Sequence, residues 1–309
     1  QNAREAAVVN NLKVYGVENI KEVIEFFNNE RNLEPSIVNT REEFYEHQSS
    51  FPYDFADVKG QESVKRALEV AASGGHNLIM IGSPGSGKSM MAKCMPSILP
   101  PLSLGESLET TKIHSVAGKL GKDSSLIAIR PFRSPHHTIS QVAMVGGGTN
   151  PQPGEISLAH NGLLFLDELP EFNRSVLEVL RQPLEDRHIS IARAKYSLDY
   201  PASFMLVASM NPCPCGYYNH PTRACVCNPG QVQRYLNRIS GPLLDRIDIQ
   251  IEIVPVPFEK MAERHHAESS ASIRKRVIKA RKIQAQRFAN HPGIYCNAQM
   301  EAGLLHLYA

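Results

Sequence analysis

The residues with the plainest chemistry are Gly82-Ser83-Pro84-Gly85-Ser86-Gly87-Lys88-Ser89. They fit the pattern G-x-x-x-x-G-K-[ST], and the apolar run 77–81 before them reads as a buried strand. Glycines at these spacings let the backbone bend so that successive N–H groups face phosphate oxygens. A helix expected over 88–95 aims its positive end at the same point. Lys88 is then expected to reach the β- and γ-phosphates of a nucleotide, and Ser89 to ligate Mg²⁺. A second apolar strand, Leu163–Leu166, follows the turn Asn161-Gly162 and ends in Asp167-Glu168. An α/β nucleotide site needs carboxylates at such a strand end. Asp167 is expected to hold Mg²⁺, directly or through water, and Glu168 to orient and activate an attacking water. A third apolar strand, over 203–209, leads to Asn211, whose amide would bond that water or the γ-phosphate. Taken alone, Asn211 before Pro212 is a turn residue. With Glu168 present, the site is built to hydrolyse the nucleotide and not only to bind it.

These strands and helices sit in a chain of 309 residues, enough for about two domains. Lys plus Arg is 33 and Asp plus Glu is 31, for a net charge of +2; hydrophobic residues make up 42% and charged residues 21%. That balance excludes a disordered or collagen-like chain. The longest apolar runs are too short to span a bilayer, so no membrane partner is expected. No run at the start reads as a secretory signal, and a chain this size buries a core without disulfides. A reducing, cytoplasmic compartment is therefore expected. The chain begins with Gln1 and stops within an apolar helical pattern over 302–309, which reads as a fragment cut at both ends. Asn19 is placed to cap a helix over 20–29 with Val23, Ile24 and Phe27 on one face. Residues 31–54 are polar, contain Pro35 and Pro52, and read as a linker; a helix is expected over 62–71.

Of the six cysteines, Cys213, Cys215, Cys225 and Cys227 form two C-x-C pairs just after Asn211. Two close thiol pairs can surround a tetrahedral Zn²⁺, although C-x-C is tighter than the usual structural spacing; redox-labile thiols are the alternative. Cys94 and Cys296 read as ordinary buried residues. His136-His137 has no third ligand at a fixed spacing, and Arg130, Arg133, His136 and His137 have no acid close by in sequence. The stretch 273–288 carries seven Lys or Arg and no acid: Arg274, Lys275, Arg276, Lys279, Arg281, Lys282 and Arg287. Ile273, Val277 and Ala280 give it an apolar seam, so it reads first as a helix with a solvated face and second as a nucleic-acid contact.

Strands ending in Gly-Lys-Ser, Asp-Glu and Asn resemble an AAA+ ATPase. Longer strings narrow this: Arg130-Pro131-Phe132-Arg133-Ser134-Pro135-His136-His137-Thr138-Ile139-Ser140, Gly146-Gly147-Gly148, Pro153-Gly154-Glu155-Ile156-Ser157-Leu158-Ala159-His160-Asn161-Gly162, and Arg238-Ile239-Ser240-Gly241-Pro242-Leu243-Leu244-Asp245-Arg246-Ile247-Asp248. They resemble the ComM/YifB family of magnesium-chelatase-like AAA+ ATPases. The resemblance implies an α/β fold: a P-loop core with a parallel sheet flanked by helices, a helix-2 insert within 113–160, and a pre-sensor-1 hairpin over 188–200. It implies residues 1–30 as the remnant of a Lon-protease-like domain, 31–54 as linker, 55–257 as the ATPase core, and 258–309 as part of a helical lid begun near Glu259. A second sensor arginine is expected past Ala309.

Residue by residue, Asn211 resembles sensor 1, and Arg246 resembles an arginine finger that reaches a neighbour's γ-phosphate. Read without the family, Arg246 would pair with Asp245 or Asp248. Arg238 is a second finger candidate, and Gly60-Gln61 resembles the segment near the adenine. Arg193 and Lys195, near the hairpin tip, would contact a phosphate backbone. The family implies a homo-oligomeric ring, usually hexameric, that couples ATP hydrolysis with Mg²⁺ to branch migration on single-stranded or branched DNA in natural transformation or repair. Two alternatives stand beside this. One is a magnesium-chelatase motor driving metal insertion through partner subunits. The other is a nucleotide-dependent scaffold or chaperone, against which Glu168 and Arg246 argue.

Overall fold

A computed structural model of the chain describes residues 3–7, 12–36, 48, 50–121, 126–148, 151–193, 196–256 and 267–308. Lys195 and the lid start near Glu259 lie outside the described residues, as does the side chain of Arg193. The chain divides into two compact units, residues 1–50 with 101–129 and residues 51–100 with 130–309.

In the first unit, Asn19 caps the helix Ile20–Phe27 by accepting from the Glu22 N–H at 3.1 Å. Two residues of its apolar face are open: Ile24 is 55% and Phe27 77% exposed. A second helix, Leu104–Val116, starts with a reciprocal capping box between Ser103 and Glu106. Leu102, Leu126 and Ala128 form a small core in this unit.

The second unit holds the site. Its main strands are β1 (Leu78–Gly82), β2 (Phe132–Arg133), β3 (Leu163–Leu166), β4 (His188–Arg193), β5 (Tyr196–Pro201), β6 (Met205–Met210) and β7 (Ile249–Ile253). Five of them make one parallel sheet in the order β7-β1-β6-β3-β2. A parallel sheet covered by helices on both faces buries every side chain of its inner strands. β3 and β6 are accordingly buried at each position. The period of two deals alternate residues to two cores. Leu78, Met80, Leu163, Phe165, Met205 and Val207 join one; Ile79, Leu164, Leu166, Leu206, Ala208 and Met210 join the other. β4 and β5 pair as an antiparallel hairpin from His188↔Pro201 to Arg193↔Tyr196.

Its longer helices are α1 (Glu62–Gly74), α2 (Lys88–Ile98), α3 (Pro229–Leu236) and α5 (Ser270–Arg287), with the single turn α4 (Gly241–Leu244) between the last two. α2 runs past the expected end at Met95, through Pro96. Pro96 forfeits one intrahelical bond, and the burial of Met95 and Ile98, both fully enclosed, outweighs it.

Four arginines of the basic helix α5 face protein. Arg274 donates to the Leu99 carbonyl at 2.9 Å, Arg281 to the Ala72 carbonyl, and Arg287 to Asn297. Arg276 forks onto Glu69 at 2.6 and 3.0 Å and also binds Glu268. Lys275, Lys279 and Lys282 are exposed.

Glu268 is held down to about 2 by its hydrogen bond from Arg276, and Glu69 is lowered by the same guanidinium. A depressed carboxylate stabilises the fold above its unfolded pKa, near 4.3, and the contribution fades as pH falls toward 2. Arg276→Met should therefore lower the melting temperature at pH 7, by about 2–4 °C after allowing for solvent screening. The gap from wild type should close between about pH 4.5 and pH 2 in a thermal-melt series. A gap that does not change with pH would mean that the pair contributes nothing through charge.

Candidate nucleotide site

β1 delivers Gly82, and the loop after it turns through Gly85 at φ +76° and Gly87 at φ +89°, where L side chains are strained. Gly87 caps α2 without any side-chain acceptor, so the first-turn N–H groups keep their donor capacity. Lys88 Nζ folds back to donate to the carbonyls of Gly82 at 2.7 Å and Ser83 at 2.9 Å and to Asn211 Oδ1 at 3.2 Å. Burial lowers the pKa of Lys88, while Asp167 and Glu168 pull it back up.

Asp167 follows β3 directly, and its two oxygens are both engaged. Ser89 Oγ donates to Oδ2 at 2.6 Å, the Glu168 N–H donates to Oδ1 at 3.0 Å, and Ser209 Oγ also donates to Oδ1. The strand carrying Asn211 lies between the other two, so Lys88, Ser89, Asp167, Glu168 and Asn211 meet at neighbouring carboxyl ends of one sheet.

The loop residues fit a magnesium nucleotide. Ser83 Oγ and Ser86 Oγ are buried with no hydrogen-bond partner among the described residues. A Cβ built at Gly85 would meet nothing within 4 Å. Spare donors over open space are what triphosphate oxygens require, and the Ser89–Asp167 pair is the hard-oxygen set Mg²⁺ prefers. Gly82, Ser83, Pro84, Gly85, Ser86, Gly87, Lys88 and Ser89 would line the phosphates. Upstream, Gly60 and Gln61 both take left-handed backbone (φ +64° and +60°), and Gln61 Nε2 donates to the Val254 carbonyl at 2.7 Å.

Glu168 stands on a left-handed turn at φ +54° with its side chain 56% exposed. His137 Nδ1 lies 3.6 Å from its Oε2, and the His137 ring packs 4.0 Å from that of His136. Two of the residues with no acid close by in sequence meet one through the fold. Arg133 forks onto Glu155 at 2.6 and 2.7 Å, and His137 meets Glu168. Arg130 is held by the carbonyls of Pro100 and Asn161 at 2.7 Å each.

Ser209 carries no motif of its own, and the sequence marks His137 only as the neighbour of His136. A lone hydroxyl in an apolar strand, two residues before Asn211, was the available signal for Ser209. Nothing local ties His137 to Glu168.

Arg246 follows α4 and pairs with Glu185, not with Asp245 or Asp248. Asp248 instead accepts from the Asn77 N–H at 3.2 Å and lies 3.1 Å from His76 Nδ1. Arg238 donates to Glu171 at 2.8 Å. Both arginines are substantially exposed, Arg246 at 43% and Arg238 at 53%.

The four clustered cysteines converge, with all four Sγ atoms within 4.8 Å of one another. Cys213 stands 3.3 Å from Cys215 and 3.7 Å from Cys225, and Cys215 stands 3.6 Å from Cys225. Sulfurs bound to one Zn²⁺ at about 2.3 Å lie about 3.8 Å apart, so the spacing fits a tetrahedral ion. Backbone hydrogen bonds from Tyr217 and Val226 bring the Cys215 thiol down to about 6.

The family described as magnesium chelatase, subunit ChlI, matches residues 54–261. Competence protein ComM of Haemophilus influenzae is 43% identical over 301 residues, covering 97% of this chain and 58% of that protein. The YifB protein of Salmonella typhimurium is 52% identical over 238 residues, 76% of this chain and 46% of its own length. Rv2897c of Mycobacterium tuberculosis is 46% identical over 253 residues, 82% and 50% respectively. The chain thus spans about half the length of these relatives. With the parallel sheet and the converging strand ends, these matches place the chain in the magnesium-chelatase-like AAA+ family, alongside its ComM and YifB members.

Proposed function

We propose that this chain carries the ATP-hydrolysing motor of a homo-oligomeric, hexameric-type ring that acts on single-stranded or branched DNA. The convergence of Lys88, Ser89, Asp167, Glu168 and Asn211 at adjacent strand ends supports the ATPase half most directly. Lys88 binds the β- and γ-phosphate oxygens in exchange for its carbonyl partners. Asn211 orients the terminal phosphate and its attacking water. Glu168 takes the proton of that water, and Arg246 of a neighbouring subunit neutralises charge on the transferring phosphoryl group. Bound Mg²⁺, held by Ser89 and Asp167, would supply further charge neutralisation there. Cys213, Cys215, Cys225 and Cys227 hold a structural Zn²⁺ in this reading.

The DNA half rests on the ComM resemblance, which implies branch migration during natural transformation or repair. The experiment is steady-state ATP hydrolysis with and without single-stranded DNA or four-way junctions, with Lys88→Ala as the blank. Turnover should rise several-fold with DNA, and the stimulation should weaken with salt as phosphate contacts are screened. Turnover indifferent to DNA would assign the chain to a chelatase-type or chaperone-type motor with protein partners. Turnover no higher than the blank would overturn the ATPase reading itself.

A further inference from the structure

We propose that the four-cysteine knot is the rear clamp of the phosphate loop, so that the metal it holds sets the loop's affinity for nucleotide. The proposal rests on the zinc reading above and adds a role to it.

Both ends of the knot return to the nucleotide site. At its start, Asn211 accepts from Lys88 Nζ at 3.2 Å, and Cys213 follows two residues later. In its middle, Gly216 follows Cys215 and lies against Pro84 of the phosphate loop. A Cβ at Gly216 would come within 2.5 Å of Pro84 Cδ and 2.8 Å of Cγ. Gly216 also sits at φ +83°, so only glycine meets both demands without strain. At its end, Cys227 leads into Asn228, which caps α3 in a reciprocal box with Gln231 at 2.8 and 3.0 Å. The buried Tyr235 of α3 is hydrogen-bonded to the Asn211 backbone.

The segment between these anchors has no apolar core of its own. Val226 is 84% exposed, and backbone bonds within it are isolated turns such as Gly216 N–H to the Cys213 carbonyl at 2.9 Å. A loop that cannot bury apolar surface depends on cross-links for its shape, and four converging thiols supply the ligands for one. Metal loss would release Gly216 from Pro84 and loosen Asn211 beside Lys88. Displacements of about 1 Å at such contacts cost roughly 10- to 100-fold.

The test measures metal content and nucleotide affinity on the same preparations. After dialysis, elemental analysis should find about one Zn²⁺ per chain. Affinity is read by titrating a fluorescent ADP analogue in excess Mg²⁺, before and after zinc is extracted by a thiol-protected chelator. Extraction should weaken binding at least 10-fold, and added Zn²⁺ should restore it. Gly216→Ala, which keeps all four thiols, should retain zinc and still weaken binding. This variant carries the test if the extracted protein unfolds by circular dichroism. Zinc whose removal, or a Gly216→Ala change whose presence, leaves the affinity within twofold overturns the clamp and spares the zinc reading. A protein free of zinc after dialysis overturns both. A zinc-loaded protein that binds no nucleotide overturns the phosphate-loop reading instead.

Discussion

Arg246→Ala should lower ATP turnover in the assembled protein by about 10³-fold or more, the range lost when an arginine finger is removed. Nucleotide affinity should change little, because Arg246 touches none of the phosphate-loop residues of its own chain; its partner is Glu185. Both members of that pair are nearly half exposed, at 43% and 48%. An ion pair so open to water is worth about 0–1 kcal/mol. Exchanging Glu185 for a neighbour's γ-phosphate therefore costs little. The gain is larger, because a planar guanidinium binds phosphate oxygens with two charge-assisted bonds in a drier interface.

A mixing experiment separates action in trans from action in cis. Chains bearing Arg246→Ala keep Glu168, and chains bearing Glu168→Gln keep Arg246. Mixed assemblies should recover part of the turnover that neither variant shows alone. Turnover of Arg246→Ala within about threefold of wild type would confine Arg246 to its bond with Glu185. Loss without recovery on mixing would remove the trans assignment.

The parts of this site that were legible in the sequence are those whose chemistry is written in consecutive residues. The phosphate loop needs glycines, lysine and serine at fixed spacing after a strand, and β1 and α2 stand on either side of it. Asp167-Glu168 closes an apolar run that the sheet buries on both faces. Pairings set only by tertiary structure were not legible. β6 inserts between β1 and β3, which brings Asn211 to Lys88 and Ser209 to Asp167. Strand order is decided by crossover packing, and no local pattern encodes it.

The same holds for partners of charge. Arg133 finds Glu155 across 22 residues, and Arg276 finds Glu69 across 207. A basic run therefore announced a cationic surface where the fold spends several arginines on carbonyls and carboxylates of α1 and its neighbours. Apolar patterning at Ile24 and Phe27 marks a face without saying what covers it, and both side chains are exposed.

Glu168→Gln should lower turnover by about 10²- to 10⁴-fold, the contribution of a general base, while nucleotide binding persists. The substitution keeps the length and shape of the side chain and removes its ability to take a proton. Its position is fixed from below: the Glu168 N–H donates to Asp167 Oδ1 at 3.0 Å, and the left-handed turn at φ +54° lifts the side chain to 56% exposure. Its side chain lies 3.6 Å from His137 and reaches Lys88 only through its charge; removing that negative charge gives affinity for ATP no reason to fall. The check is a pair of measurements on one preparation: steady-state phosphate release, and the ATP that stays bound, unhydrolysed, after rapid gel filtration. Retained ATP with lost turnover is the expected pattern. Lost binding would make Glu168 part of the nucleotide cradle, and turnover within tenfold of wild type would move the proton-accepting role to another group.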